Sequence, residues 1–380
     1  MSEDNINYIL SMSQQQEKKK SINDDDDDLK KRYPLFIGIH VGAGYHSKKL
    51  SRSYRDVVDS CLKRSKDIVY QTLSDSDASD GQQQHTICAS SIVEIVIQML
   101  EDDPLTNAGK GSNLNFDGQV ECDASLMDGQ FNCHCNNNCF QQQQSKDKKR
   151  YSIHHRQQQP NNNNNNNIID NNGLMICGGG IWAGVGAVNG ITNPIRLVGE
   201  MVKRQKKSAD KSLGRVRPLM LVASGAKEWA MNHSVETYDP NSLFGDPLIT
   251  QQSNLTYLKH KSKLEYWKSI KGHFEQENGE NEEYNQQEGG DDDNDDNQDE
   301  QLYDTVGAIV VDWNGNVAAG VSSGGISLKH PGRVGEAAIF GSGCWAQNEL
   351  IIKNHNDDGD DDDSIVIPGV ASSCTGTSFI

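Results

Sequence analysis

Two hydroxyl side chains, Thr305 and Ser323, stand at the outer ends of two strand-like runs in the stretch DTVGAIVVDWNGNVAAGVSSGGISLKHPGRVGE, Asp304–Glu336. The runs Thr305–Val311 and Val317–Val321 are apolar and β-branched, and Trp313-Asn314-Gly315 between them has the chemistry of a short hairpin turn. Two turns fit. If Asn314-Gly315 is a two-residue loop, Thr305 lies opposite Gly324. If Trp313, Asn314 and Gly315 form a three-residue loop with Gly315 left-handed, Thr305 lies opposite Ser323. Directly opposed side chains have Cβ atoms about 4.5–5.5 Å apart, so the second register lets Ser323 hydrogen-bond a reacting Thr305 hydroxyl. Gly324-Gly325 leaves the backbone open beside that pair, where amides can approach a substrate. A buried hairpin whose hydroxyls are merely satisfied has the same pattern.

The elements that must position these residues are interleaved strands and helices. Tyr33–Tyr45 is an alternating run entering the glycine turn Val41-Gly42-Ala43-Gly44. Ser53–Leu73 reads as an amphipathic helix, and Ala89–Leu100 as a second, more apolar one. Pro104 to Gly109 forms a loop, and Leu114–Asp123 a hairpin around Phe116-Asp117-Gly118. Ile181–Val188 is strand-like, Ile195–Lys203 an amphipathic helix starting near Asn193-Pro194, Leu219–Ala223 a buried strand, and Ala226–Met231 the start of a short helix. Leu255–Phe274 carries Lys259, Lys261, Lys263, Lys268 and Lys271, which read as a solvated helix face rather than a nuclear-import signal. Periodicity alone gives a mixed α and β chain.

Composition removes much of the chain from any core. Hydrophobic residues make up only 34%, and the acids of Asp24–Asp28, Asp291–Glu300 and Asp357–Asp363 together equal the net charge of −18, so the remainder is neutral. Charge confined to such runs marks solvated insertions, and the lack of a basic face argues against nucleic acid. Gln82–Gln84, Asn136–Asn138, Gln141–Gln144, Gln157–Gln159 and Asn161–Asn167 are low-complexity tracts that bury too little apolar surface to offset their ordering entropy. Residues 1–32 read as a disordered tail without the apolar core of a secretory signal, and no stretch reaches membrane-spanning length. Nine cysteines in such a chain read as reduced thiols of an intracellular protein, in the cytoplasm or nucleus. Cys133, His134, Cys135 and Cys139 are closely spaced soft ligands without a matching second pair, and the expectation is no metal and no cofactor.

Asp304-Thr305-Val306-Gly307 resembles the nucleophile site of the N-terminal-nucleophile hydrolases of the plant-type asparaginase group. Within that group it is most similar to the threonine aspartase (taspase) branch, which has aspartate before its nucleophile. The resemblance extends in order through FIGIHVGAGYHS, LEDDPLTNAGKGSNLNFDGQVECDASLMDG, AGVGAVNGITNPIRLV, SLGRVRPLMLVASGAKEWA, SSGGISLKHPGRVGEAA and GSGCWAQN. It implies an α+β fold, a four-layer αββα sandwich in which Thr305 opens a central strand. Residues 33–304 would form the α part, with a dispensable insertion at about 131–172 and an acidic linker at about 275–300, and residues 305–380 the β part. Family members continue after the segment matching Cys374-Thr375-Gly376-Thr377 into a further helix and strands, so a C-terminal part is expected to be missing here.

The resemblance also implies roles. Cleavage between Asp304 and Thr305 would free an α-amine, of pKa about 7.7–8.0, to serve as base for the Thr305 hydroxyl. The β-methyl restricts χ1 and aims that hydroxyl. Ser323 would polarise Thr305, Thr375 and Gly376 would supply oxyanion donors, and Asn107 would help position the nucleophile. Gly324 would line the substrate site, and Arg333, a planar cationic fork, would take the substrate carboxylate. The expected activity is a threonine endopeptidase acting on proteins after aspartate, processed into α and β units that form a homodimer. An asparaginase or isoaspartyl peptidase shares every catalytic residue. It differs in having Gly-Asp-Ser after Arg-Val, its aspartate holding the substrate's free amine, where this chain has Gly335-Glu336-Ala337. A non-catalytic protein that keeps the fold is the third reading.

Overall fold

Runs apolar at successive rather than alternate positions become strands covered on both faces, and here they make the central sheet. The computed structural model describes residues 35–42, 48–77, 87–130, 180–206, 216–278, 305–353 and 364–375. Its strands are β1 (Phe36–Val41), β2 (Cys122–Asp128), β3 (Ile181–Val188), β4 (Met220–Val222), β5 (Val306–Val311), β6 (Val317–Ser323), β7 (Cys344–Gln347), β8 (Leu350–Lys353), β9 (Ser364–Ile367) and β10 (Val370–Ser373). Its helices are α1 (Lys48–Asp77), α2 (Ala89–Glu101), α3 (Pro194–Lys206), α4 (Ala223–Asn232) and α5 (Gln251–Asn278). Six strands form one sheet in the order β1-β5-β6-β2-β3-β4, mixed in that only β3 and β4 run parallel.

Helices α2 and α3 pack on one face of this sheet, and β7 with β10 packs on the other. In β5, Val306, Ala308 and Val310 join the core beneath the helices, with Ile92, Val93, Val96 and Ile97 of α2. The alternate residues Thr305, Gly307 and Ile309 face the second sheet. Close approach there requires glycine. A Cβ on Gly307 would stand 2.0 Å from Ser373 Oγ and 2.3 Å from His40 Nε2. Among the described residues the layers are therefore helix, sheet and sheet. The segment Leu219–Ala223 corrects the expectation of a buried strand: β4 is the edge of the sheet, and Met220 and Val222 are exposed. Its apolar run is short and its one neighbour is β3, so the run covers an edge rather than filling a core.

The β5–β6 turn decides where the site forms. Asp312 N–H donates to Asn316 O at 2.9 Å, Gly315 N–H to Asp312 O at 3.0 Å, and Gly315 has φ +78°. This is the three-residue loop. Asp312 is 1% exposed, and its Oδ1 accepts the amides of Asn314 at 2.9 Å and Asn316 at 3.0 Å. Its Oδ2 accepts the Ala89 amide at 3.3 Å, at the start of α2. One carboxylate thus closes the turn and caps the helix. Asp312→Ala is expected to lower the unfolding free energy by about 2–3 kcal/mol, the cost of stranding several buried donors. Urea unfolding measures it, and unchanged stability would contradict this role.

Candidate active site

The register Val306↔Ser322 places Thr305 opposite Ser323, and β6 pairs with β2 so that Ser323 lies opposite Asp123. Three polar side chains consequently form a row across three strands at one end of the sheet, all buried. At the outer side of the row the Thr305 carbonyl accepts the Gly42 amide at 3.0 Å, where β1 ends. Thr305 Oγ1 lies 3.1 Å from Ser323 Oγ and 3.0 Å from Glu336 Oε1. A threonine hydroxyl has one proton, and a carboxylate only accepts. Thr305 is the donor toward both oxygens, so its single proton is shared between the Ser323 hydroxyl and the Glu336 carboxylate. Ser323 Oγ itself accepts the Gly325 amide at 3.0 Å.

Gly324 and Gly325 are held by Asn107. Its carbonyl accepts the Gly324 amide at 2.7 Å, its Nδ2 donates to Gly325 O at 2.9 Å, and its Oδ1 accepts the Asn113 amide at 2.9 Å. The loop carrying Asn107 is gripped in turn by Glu101, whose carbonyl accepts the Lys110 amide at 2.7 Å. The buried Glu101 carboxyl accepts Ser322 Oγ–H at 2.6 Å and the Ile195 amide at 3.0 Å. Burial pushes its pKa up to about 8, against the Ser322 and Ile195 bonds. It thus joins the end of α2, the start of α3 and β6.

Asp123 organises the far end of the row. Its Oδ1 accepts the Ala187 amide at 2.8 Å and its Oδ2 the Gly335 amide at 2.7 Å. Burial raises the pKa of this carboxyl, opposed first by the Lys329 charge, then by those two amides and by Arg333. Lys329 is 1% exposed and donates to Glu121 O at 2.6 Å. Arg333 itself is exposed, two residues before Gly335, and among the described residues no carboxylate lies within 4 Å of its guanidinium.

On the second sheet, Thr375 follows β10, and its Oγ1 is buried with no partner among the described residues. Strand β10 is tied to the two strands that flank β5: His40 Nε2 on β1 lies 2.8 Å from Ser373 Oγ, and Ser373 Oγ–H donates to Gly320 O on β6 at 3.1 Å. Burial lowers the His40 pKa to about 4, opposed by the Thr305 backbone, so the ring is neutral near neutral pH.

The fold therefore brings together Thr305, Ser323, Gly324 and Asn107, and places Arg333 three residues before the glutamate that touches Thr305. Asp304 and Gly376 lie outside the described residues, as do Cys133, His134, Cys135 and Cys139. No group of three metal-ligating side chains occurs among the described residues, and no helix there is long and apolar enough to cross a membrane. Sequence reasoning missed His40, Asp123, Lys329 and Glu101. Their signal was weak: His40 and Asp123 are single polar residues in apolar runs, while Glu101 and Lys329 sit among other polar residues that look solvated.

A profile of the family described as Asparaginase matches residues 34–135 and 179–352. The chain is 28% identical over 262 residues, 69% of its length, to a plant-type L-asparaginase of Pyrococcus horikoshii, covering 58% of that relative. It is 28% identical over 262 residues to an isoaspartyl peptidase/L-asparaginase of Macaca fascicularis, covering 69% of this chain and 55% of that one. The corresponding human protein is 27% identical over 263 residues, again 69% and 55%. The chain thus spans little more than half the length of these relatives. Asp123→Asn would set an NH2 group against one of the two amides that need an acceptor. Hydrogen exchange at Gly335 or Ala187 should rise about 10- to 100-fold, from about 1.5–3 kcal/mol of lost charge-assisted bonding. Amide exchange followed by mass spectrometry or NMR measures this, and unchanged rates at both sites would remove Asp123 from the network.

Proposed function

Because the chain belongs to the asparaginase family of N-terminal-nucleophile hydrolases, we propose that Thr305 is the nucleophile of an amidohydrolase acting on aspartyl amides. The bonds it attacks are the side-chain amide of asparagine and the β-aspartyl peptide bond. The observation that carries this reading is the Thr305 hydroxyl held between Ser323 and Glu336 at the start of β5. The names of the relatives, isoaspartyl peptidase and L-asparaginase, point to the same substrates.

Cleavage of the bond before Thr305 gives that residue an α-amine, which takes the hydroxyl proton as Oγ1 attacks the amide carbonyl. The oxyanion is received by Thr375 Oγ1–H, a buried hydroxyl without another partner among the described residues, together with the Gly376 amide. The amine leaves with the proton, an aspartyl ester remains on Thr305, and water hydrolyses it. Arg333 binds the substrate carboxylate as a bidentate fork. The working unit is a homodimer of processed α and β parts.

A second reading, a threonine endopeptidase cutting after aspartate, is favoured by Glu336. In small-molecule members an aspartate here holds the substrate's free amine, whereas the Glu336 carboxylate is engaged with Thr305 itself. Asp304 before the nucleophile agrees with it. Paired assays on the processed protein separate the two. Release of ammonia from asparagine and hydrolysis of a β-aspartyl dipeptide should exceed cleavage of an end-blocked peptide with internal aspartate by at least about tenfold in kcat/KM, the effect of losing one binding contact. The reverse ranking assigns the endopeptidase, and a folded, processed protein that turns over neither class contradicts both.

A further inference from the structure

Before the chain is cut, Thr305 N is a peptide nitrogen, its lone pair delocalised into the carbonyl and unable to take a proton. The base that serves the mature site therefore does not exist when the first bond must be broken. Some other group has to accept the Thr305 proton. Ser323 Oγ accepts hydrogen bonds from Thr305 Oγ1 and the Gly325 amide, but a neutral hydroxyl is far too weak a base to take the proton outright. His40 reaches Ser373 rather than the hydroxyl. Glu336 Oε1 lies 3.0 Å from Thr305 Oγ1, within proton-transfer reach and already oriented by that contact. The carboxylate is held there from its own backbone: Gly335, the preceding residue, donates its amide to buried Asp123 at 2.7 Å, and Ile339 N–H closes the turn of residues 336–338 on Glu336 O at 3.0 Å.

We propose that Glu336 is the general base of self-cleavage, a catalytic residue of the uncut chain whose task passes to the Thr305 α-amine once that amine is released. This rests on the reading of Thr305 as an N-terminal nucleophile. The step balances within the chain. Glu336 Oε1 takes the Thr305 hydroxyl proton as Oγ1 bonds to the carbonyl carbon of the preceding residue, Asp304, and the carbonyl oxygen becomes an oxyanion. Collapse breaks the C–N bond, and the departing nitrogen takes the proton back from Glu336. The product is an ester on Thr305 beside a free α-amine. Water cleaves the ester to a carboxylate and restores the hydroxyl. Ser323 Oγ, 3.1 Å from Oγ1, helps to fix the orientation of the hydroxyl, and the length of glutamate relative to aspartate lets the carboxylate reach the nucleophile from the Gly335 anchor.

The test follows cutting of the freshly made full chain by mass spectrometry, with hydroxylamine added in parallel to cleave any ester that forms. The wild-type chain should break between Asp304 and Thr305, faster with hydroxylamine. Glu336→Gln keeps shape and removes the base, and should slow cutting about 10²-fold or more, with thermal unfolding unchanged. Glu336→Ala should be equally slow but accelerated at least about fivefold by added formate, which a merely structural role would not produce. Equal rates in wild type and Glu336→Gln overturn the role of Glu336 alone, as does a slow Glu336→Ala chain that formate leaves unchanged. A wild-type chain that stays intact even in hydroxylamine overturns both this role and the self-cleaving reading beneath it.

Discussion

The register of the β5–β6 hairpin is the constraint on which the site depends. Side chains alternate along a strand, so a slip of one residue would turn Ser323 away from Thr305 and replace it with Gly324. Asp312 fixes the register by accepting the amides of Asn314 and Asn316 inside a loop closed at Gly315. The same carboxylate also receives the first amide of α2, so the turn and the helix that covers β5 and β6 are set together. Everything in the row of Thr305, Ser323 and Asp123 follows from that pairing and from the matching one between β6 and β2.

Around this row, the buried ionisable groups are met by backbone groups, a hydroxyl or an opposite charge. Asp123 accepts two amides and feels Lys329, while Glu101 is held by Ser322 and Ile195 with a pKa near 8. His40 is kept uncharged by burial. Among the described residues near Thr305, burial thus favours the neutral forms of Glu101, Asp123 and His40. Arg333 stands apart as an exposed cation, and Glu336 is in direct contact with the Thr305 hydroxyl. Such an arrangement suits a reaction in which a proton moves over a short distance and an oxyanion is met by neutral donors.

Much of the architecture was legible in the sequence. Apolar periodicity placed α2 and β3 to within about a residue, because both are long and patterned on packed faces. The hairpin was narrowed to two registers, and only the tertiary setting of Asp312, buried under α2, selected between them. β4 was misread because an apolar run does not say how many neighbours a strand has. At the candidate site, Thr305, Ser323, Gly324 and Asn107 were singled out from residue type together with a family likeness, and the fold brings them together. Asp123 and Lys329 were not, since their meaning lies in contacts to Gly335 and Glu121 more than 200 residues away in the chain. Glu336 was noticed as a departure from the small-molecule pattern, yet its contact with Thr305 needed the turn of residues 336–338 to be seen.

The central claim is that the hydroxyl set by this register, and no other, carries the acyl group. Acid quenching during turnover of a β-aspartyl hydroxamate by the processed protein, followed by peptide mapping with tandem mass spectrometry, tests it directly. The aspartyl ester should be found on Thr305. An ester on Ser323 or any other side chain, or turnover with no ester trapped at Thr305, would contradict the account.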